Sequence, residues 1–324
     1  MTAAIGVLCA RVRVEEKQLI AALAAAGATA MPLPPTGAPL PIGPVAPPSS
    51  LAPGEGVAAR LIVDRCQDRA VAAAVLPVCR ALGGLTLDAG IAATGDRLAV
   101  ATALAAAGIA RPATRLVCSE VAAHAALDEG GYPATLLPLL AGSKPVRLLD
   151  RDSAEAVLEH RAVLGSTREA LGLVQAGAPG AERLTVIVGG GEAVGLIEGA
   201  GGEGWAPHRV DAIELAEAAA AALGAAFVGV EIALVGDAVV VWDVEAVPEF
   251  RHAAVLGRST VAEALASLAM AWLDGDRQSP PGLAWEREDA VVVVDGRGEL
   301  LWQRPGPAAA VRRRGVSDGI ALSA

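Results

Sequence analysis

The stretch AFVGVEIALVGDAVVVWDVE, residues 226–245, consists of two apolar runs on either side of a Gly-Asp pair. Such a pair between two strand-like runs predicts a tight β-hairpin turn. Residues two apart share one face of a strand, so Asp243 and Glu245 point the same way, and Glu231 on the first strand lies opposite them. Three carboxylates on one face repel each other unless a cation or a proton neutralises them. The hairpin therefore raises the question of what neutralises this face.

A divalent cation is one answer. Carboxylate oxygens suit Mg²⁺, which takes one or two of them together with phosphate oxygens. The residues thus support the hypothesis of a Mg²⁺–nucleotide site formed by Glu231, Asp243 and Glu245. The alternatives are a solvent-facing strand with ordinary surface acids, pairing with Arg97 or Arg251, or proton uptake that raises the pKa of one carboxylate.

Composition limits the class of protein. The chain has 324 residues, a net charge of −10 and 53% hydrophobic residues, enough for a large core divided among two or three domains. The negative charge argues against a nucleic-acid partner. No uninterrupted apolar run is long enough for a membrane span, and the first residues do not have the pattern of a secretory signal. The four cysteines lack metal-binding spacing and are expected to be reduced thiols of a cytoplasmic protein.

The order of strand-like and helix-like segments predicts an α/β protein of three domains. Residues 1–92 follow a β-α-β-β-α-β order, typical of a small open α/β domain. Residues 93–168 predict a lid of paired strands with a covering helix. Residues 169–324 predict an antiparallel sheet domain, followed by an extra hairpin and a tail. That hairpin, at 289–303, could pair with a second copy of the chain, so a homodimer is one expectation.

Basic residues end two strands of the first domain. Arg11, Arg13 and Arg65 follow these strands at the carboxyl edge of the sheet, where open α/β sheets bind ligands. A guanidinium binds a carboxylate through two parallel hydrogen bonds. Together with Asp64, these arginines are predicted to hold a small-molecule substrate. The alternative is ordinary surface arginines, with Asp64 and Asp68 pairing with Arg65.

Several segments carry a resemblance to a known family. They are LCARVRVEEKQL near the start, VDRCQDRAVAA at 63–73, TGDRLAVATALAAAGIARPAT at 94–114, GGYPATLLPLLAGS at 130–143 and VGVEIALVGDAVVVWDVEAVPEF at 228–250. In these segments and in the order of its elements, the chain resembles the ATP-grasp fold. Within that fold it is similar to the amino-group-adding ligases that include LysX of lysine biosynthesis and RimK, which adds glutamate to a ribosomal protein. The resemblance implies an N-terminal open α/β domain, a central lid, a C-terminal antiparallel sheet, and Mg²⁺ and ATP as cofactors.

The family's oxygen ligands have counterparts in this chain. Glu231 stands where the family has an aspartate, Asp243 at its metal-binding glutamate, and Glu245 at the asparagine partner of that glutamate. The resemblance therefore implies that these three side chains bind the metal. Arg97 stands at the first ATP-binding lysine and keeps its charge, although a guanidinium has a different shape from an ammonium group.

Two other family positions lack their cation. Leu137 stands at the second ATP-binding lysine, in the lid, and Leu184 at an arginine of the following sheet, with Arg183 one residue away. A shift of one residue moves a side chain to the other face of a strand, so Arg183 is not expected to replace that arginine. Lys144 is the candidate replacement for the lid lysine. Cations stabilise the transferring phosphoryl group, so a weakened nucleotide site is expected.

The leading functional hypothesis follows from the resemblance. Divergent ATP-grasp proteins are implicated in making tetrahydromethanopterin, the one-carbon carrier of methylotrophic bacteria. The chain is expected to join an amine to a carboxylate of such a reduced pterin or its precursor. One alternative is a non-catalytic relative that binds the pterin without ATP turnover. Another is a LysX-like amino-acid or carrier-protein ligase. No catalytic residue is predicted.

Overall fold

The structure is a computed structural model. It describes residues 4–35, 59–140, 144–164, 171–178, 180–199 and 202–275, together with the backbone of 292–294 and 300–303. No helix within these ranges is long and apolar enough to cross a membrane. All four cysteines are free thiols in the structure, and three of them are buried.

The first sheet has four parallel strands in the order β2-β1-β3-β4. Its elements are β1 (Ala4–Leu8), α1 (Val14–Ala25), β2 (Thr29–Leu33), β3 (Leu61–Asp64), α2 (Arg69–Ala81) and β4 (Leu85–Leu87). The predicted β-α-β-β-α-β order is confirmed. Because β1 and β3 are parallel neighbours, the loops that follow them meet at one edge of the sheet.

The second unit is a four-stranded antiparallel sheet in the order β6-β9-β7-β8, which we call the lid sheet. The elements of this part are α3 (Arg97–Ala106), β5 (Arg111–Pro112), β6 (Thr114–Val117), α4 (Glu120–Gly130), β7 (Ala134–Pro138), β8 (Val146–Leu148), α5 (Arg151–Leu164) and β9 (Gly172–Ala176). Side chains of α4 and α5 pack with those of the sheet into a separate small core. Strand β9 belongs to the lid sheet, which therefore includes residues beyond position 168.

The third unit is a five-stranded antiparallel sheet in the order β13-β12-β10-β11-β14. Its elements are β10 (Glu182–Gly189), β11 (Glu192–Glu198), α6 (Arg209–Ala222), β12 (Phe227–Val235), β13 (Ala238–Glu245), β14 (Ala254–Val255) and α7 (Val261–Leu273). The alanine-rich α6 packs on one face of this sheet, where Val186, Val230 and Ile232 are fully buried. Helix α7 packs against the other side and joins the core of the first domain.

Register across the β12–β13 hairpin places the acids. Glu231 lies opposite Asp243, and Gly229 lies opposite Glu245. The pairing shifts by one residue next to Glu231, so Trp242 forms a bulge in β13. The prediction that Glu231, Asp243 and Glu245 share one face of the hairpin is confirmed.

The hairpin predicted near the end of the chain consists of β15 (Val292–Val294) and β16 (Leu300–Gln303). Strand β15 also pairs in parallel with β5, with Val293 opposite Arg111. One edge of this hairpin is therefore used within the chain. Pairing with a second copy stays a prediction.

Candidate functional site

A cavity of about 220 Å³ lies where the three units meet. Helix α3 forms one wall, the lid sheet another, and the end of β13 with the residues that follow it a third. Its charged lining residues are Arg69, Asp96, Arg97, Arg111, Asp243 and Glu245. Its apolar lining comes from α3, the lid sheet and β13 with the residues after it: Val100, Leu104, Leu137, Leu173, Val241 and Val247. The cavity is thus an apolar slot with charges of both signs, a common design for small-molecule sites.

The acids of β13 reach this cavity. The Asp243 side chain lines the cavity and is exposed on its open side. Desolvation by the surrounding cleft raises the pKa of Asp243, although the Val244 N–H, 2.8 Å from Oδ1, and the charges of Arg97 and Arg111 oppose the rise. Burial, followed by repulsion from the neighbouring carboxylates, raises the pKa of Glu245 as well. The carboxylates on this face repel each other, as predicted. The charges of the nearby arginines and the raised pKa values of the acids reduce that repulsion.

The third acid has an arginine of its own. Arg183 Nε lies 3.2 Å from Glu231 Oε1, and the guanidinium carbon lies 3.6 Å from the centre of the Trp242 ring. Burial raises the pKa of Glu231, and the charge of Arg183 opposes this. Thr185 pairs opposite Glu231, so Arg183 shares the acid face while Leu184 is fully buried on the other face. The expectation that the one-residue offset places Arg183 on the face away from the acids is therefore wrong.

The three carboxylates share a face but do not gather around one point. Within the described part of the chain, no three His, Cys, Asp or Glu side chains form a group that could hold a metal ion. Glu231 is drawn to Arg183, and Asp243 accepts a hydrogen bond from its neighbouring backbone N–H. A metal role for Glu231, Asp243 and Glu245 stays a prediction. Two carboxylates together with phosphate oxygens are enough to bind Mg²⁺.

The predicted nucleotide-binding residues are separated by the structure. Arg97 lines the cavity, where its Nη1 donates to Pro138 O at 2.9 Å and to Leu140 O at 3.0 Å. It therefore ties the start of α3 to the end of β7. Lys144 is exposed and is not among the residues that line the cavity. Leu137, at the position of the missing lysine, does line the cavity.

Sequence reasoning did not single out Arg111, a third arginine of the cavity wall. Its Nε is buried and has no hydrogen-bond partner among the described residues. Burial lowers the pKa of Arg111, and the charge of Asp243 opposes this. The available signal was a basic residue directly before a proline in the segment that leads into the lid, which alone does not indicate a site.

The predicted substrate residues of the first domain fall into two groups. Arg65 and Asp64 are buried at 1% and 4% exposure. Arg65 Nε lies 3.2 Å from Glu16 Oε1 and its Nη2 donates to Pro248 O, whereas Asp64 accepts from Arg69 Nη2 at 2.8 Å. Both side chains are therefore engaged within the protein, and their role towards a substrate stays a prediction.

The suggested pairing of Arg65 with its sequence neighbours is wrong. Asp64 turns to Arg69, and Asp68 caps α2 by accepting hydrogen bonds from two backbone N–H groups of its first turn.

Two predicted substrate residues remain accessible. Arg11 is exposed in the loop after β1. Arg13 is partly exposed and bridges Glu16 and Glu249, at 2.9 and 3.3 Å. Of the four predicted substrate residues, these two have guanidinium groups that a substrate can reach.

Comparisons with known proteins agree with this architecture. Family models searched with the sequence give no match. The crystal structure of a RimK-domain ATP-grasp protein from Sphaerobacter thermophilus matches 83% of this chain and 100% of its own, with 32% identity and a TM-score of 0.65. The D-Ala:D-Ser ligase VanG from Enterococcus faecalis matches 83% of this chain and 99% of its own, with 15% identity and a TM-score of 0.62.

The ATP-grasp ligase PsnB, solved with a minimal precursor, Mg and ADP, matches 83% of this chain and 98% of its own, with 16% identity and a TM-score of 0.58. VanG and PsnB share the fold. The RimK-domain protein is similar enough in sequence to assign the family as well. With its open α/β domain, its lid sheet and its acid-bearing antiparallel sheet, this chain belongs to the ATP-grasp family.

Proposed function

We propose that the protein is an ATP-dependent carboxylate–amine ligase whose nucleotide binds in the cavity between α3, the lid sheet and β13. The observation that carries this proposal is that anionic and cationic side chains lie on facing walls of the cavity. Asp243 and Glu245 supply anionic oxygens from β13, and Arg97 and Arg111 supply cations from the facing wall. Mg²⁺ with a nucleotide phosphate chain needs both kinds of partner.

The residues present fit such a ligand. Asp243 and Glu245 would hold Mg²⁺, and Glu231 could join them on release from Arg183, whose Nη1 is buried without a hydrogen-bond partner among the described residues. Arg97 would contact the phosphates while keeping the lid strand in place through Pro138 O. When bound, ATP with Mg²⁺ supplies a phosphoryl group that activates a carboxylate for attack by an amine.

The substrate side of the proposal rests on the first domain. Arg11 and Arg13 present accessible guanidinium groups at the sheet edge, which suits a carboxylate-bearing substrate. We propose a tetrahydromethanopterin-type one-carbon carrier or its precursor as that substrate, on the overall resemblance of the chain, with its LysX-like N-terminal half, to divergent members of the family. Purified protein should accelerate ADP formation when such a pterin carboxylate and an amino acid such as glutamate are supplied together.

One alternative has support of its own, namely a relative that binds its small molecule without ATP turnover. Leu137 lines the cavity and adds no charge, and Arg97 already donates to lid carbonyls. A cavity of about 220 Å³ is also smaller than the roughly 300–1,000 Å³ that is usual for ligand sites. These features favour weak nucleotide binding, whereas the arginines that face the acids favour retained binding.

Calorimetry with Mg-ATP decides between the two. The ligase proposal predicts binding that weakens at least tenfold in Asp243→Asn and ADP release that needs both substrates. Asp237→Asn, an exposed acid in the turn of the same hairpin, is the matched control and should bind as the parent does. Binding of the pterin by a protein that neither binds nor hydrolyses ATP would support the alternative and refute the ligase.

A further inference from the structure

Arg111 enters the nucleotide cavity from a position that the sequence resemblance did not assign. It lies on the short strand β5, between α3 and the lid sheet. The preceding residue ties this strand to β13, since Val241 N donates to Ala110 O at 2.8 Å. Arg111 is therefore fixed next to the strand that carries Asp243, and both residues line the cavity.

The guanidinium of Arg111 has N–H donors without a well-placed acceptor among the described residues. Its Nε is buried without a partner among the described residues, and its Nη2 reaches Thr114 Oγ1 only at 3.5 Å, the limit for a hydrogen bond. The Nε of Arg69 on the same cavity wall is likewise without a partner among the described residues, but its terminal nitrogens are engaged: Nη1 donates to Cys66 O at 2.7 Å and Nη2 to Asp64 Oδ2 at 2.8 Å. A buried, charged donor without an acceptor is costly, so Arg111 is suited to a ligand that brings acceptors with it.

Arg111 and Asp243 face each other without closing into an ion pair. Each shifts the pKa of the other through its charge, yet within the described ranges no carboxylate oxygen lies within 4.0 Å of Arg111. A fixed cation and a fixed anion kept apart across a cavity suit a ligand with both an anionic and a cationic part. Phosphate oxygens bound to Mg²⁺ are such a ligand.

Leu137 lines the same cavity and contributes no charge. We propose that Arg111 binds the phosphate oxygens of the nucleotide and takes the role of the cation that this chain lacks at Leu137. The inference rests on the proposed nucleotide site and adds to it a specific phosphate-binding residue. An arginine keeps its charge when buried, which a lysine at a comparable depth need not do.

The test is a calorimetric titration with Mg-ADP and, separately, with adenosine, which lacks phosphate. Arg111→Gln should weaken Mg-ADP binding at least tenfold, the usual loss for one charge-assisted contact, and leave adenosine affinity unchanged. Arg111→Lys should lose less. The matched control is Arg115→Gln, which removes an arginine of the adjoining strand β6 that pairs with Glu129 of α4. This variant should bind both ligands as the parent does.

A second variant guards against a folding defect. Leu137→Lys, added to Arg111→Gln, should regain at least part of the lost Mg-ADP affinity, because it returns a cation to the same cavity. A misfolded protein would not regain binding in this way, and a circular dichroism melt of each variant checks the fold directly.

The outcomes separate this inference from the ligase proposal. Equal Mg-ADP affinity of the parent and Arg111→Gln overturns the role of Arg111 and leaves the ligase standing. If Arg111→Gln loses affinity for Mg-ADP but not for adenosine, and the parent never turns over ATP, the role of Arg111 is supported and the ligase is overturned. A parent that binds no Mg-ADP overturns both.

Discussion

Arg65 offers the sharpest test of the structural account, because the sequence suggests a substrate contact and the structure shows a buried ion pair. The side chains of Arg65 and Glu16 are both 0% exposed and their nearest atoms are 3.2 Å apart. Arg65 also donates to Pro248 O at 3.0 Å and lies 5.0 Å from the centre of the Phe250 ring. Arg65 therefore links α1 to the segment that follows β13.

Breaking such a pair by removing one partner costs about 3–5 kcal/mol, because a charge stays buried without compensation. The two partners are not equivalent. In Arg65→Met, Glu16 keeps Arg13 at 2.9 Å, so we expect a loss of about 3 kcal/mol in the free energy of unfolding. In Glu16→Gln, Arg65 has no other carboxylate within 4.0 Å among the described residues, so we expect a loss of about 5 kcal/mol.

Urea unfolding followed by tryptophan fluorescence measures both losses. The double variant should lose less than the sum of the single losses, since it leaves no unpaired charge. Arg11→Met is the matched control, an exposed arginine at the same sheet edge, and should stay within about 0.5 kcal/mol of the parent. If Arg65→Met unfolds like the parent but loses affinity for the substrate, the structural account is refuted and Arg65 is a substrate residue.

Three further predictions follow from the same contacts. The double replacement Asp243→Asn with Glu245→Gln should raise the melting temperature without metal, since it deletes charges whose pKa burial raises, and should abolish any stabilisation by millimolar Mg²⁺; a lowered melting temperature without metal would contradict this. Burial raises the pKa of Glu16, but hydrogen bonds from Arg13 and the charge of Arg65 outweigh it, so the pKa is lowered overall. The stabilisation that Glu16 contributes is therefore present above its unfolded pKa and is lost as the pH falls through its folded pKa. The stability gap between the parent and Glu16→Gln should therefore shrink below roughly pH 4, as urea unfolding at several pH values will show. Gly90→Ala would place a Cβ 2.1 Å from a backbone carbonyl oxygen after α6 and should cost about 3 kcal/mol or more in the same assay, whereas Gly27→Ala, with positive φ but open space, should cost about 1–2 kcal/mol.

Local features of this fold follow from short stretches of sequence. The hairpin at 227–245 forms where a Gly-Asp pair separates two apolar runs, and Thr260 with Glu263 caps α7 as the spacing indicates. Helix α5 shows the limit of such signals. The spacing of Asp152 and Glu155 is typical of a capping box. The helix nevertheless begins at Arg151, and Asp150 accepts a hydrogen bond from Ser153 N at 2.8 Å. Asp150 and Asp152 are both followed by helical residues, so the local sequence does not decide which of them caps the helix.

The face that carries the acids depends on pairing between distant strands. The resemblance places the family's strand arginine at Leu184, one residue from Arg183. Which of two adjacent residues faces the acids depends on pairing across β10 and β12, where Thr185 lies opposite Glu231. Pairing between strands far apart in the chain is not contained in the local pattern.

The sequence by itself determined the order of the elements and the row of acids on one face, because both depend on neighbouring residues and their periodicity. Its resemblance to known ligases indicated the family. Only the tertiary structure decided the partner of each charge. Arg65 meets Glu16 from a different element, Arg183 meets Glu231 across the sheet, and Arg111 faces Asp243 across the cavity. The free energy of a charge depends on its distance from other charges and on its exposure to water, and both are set by the packing of distant segments.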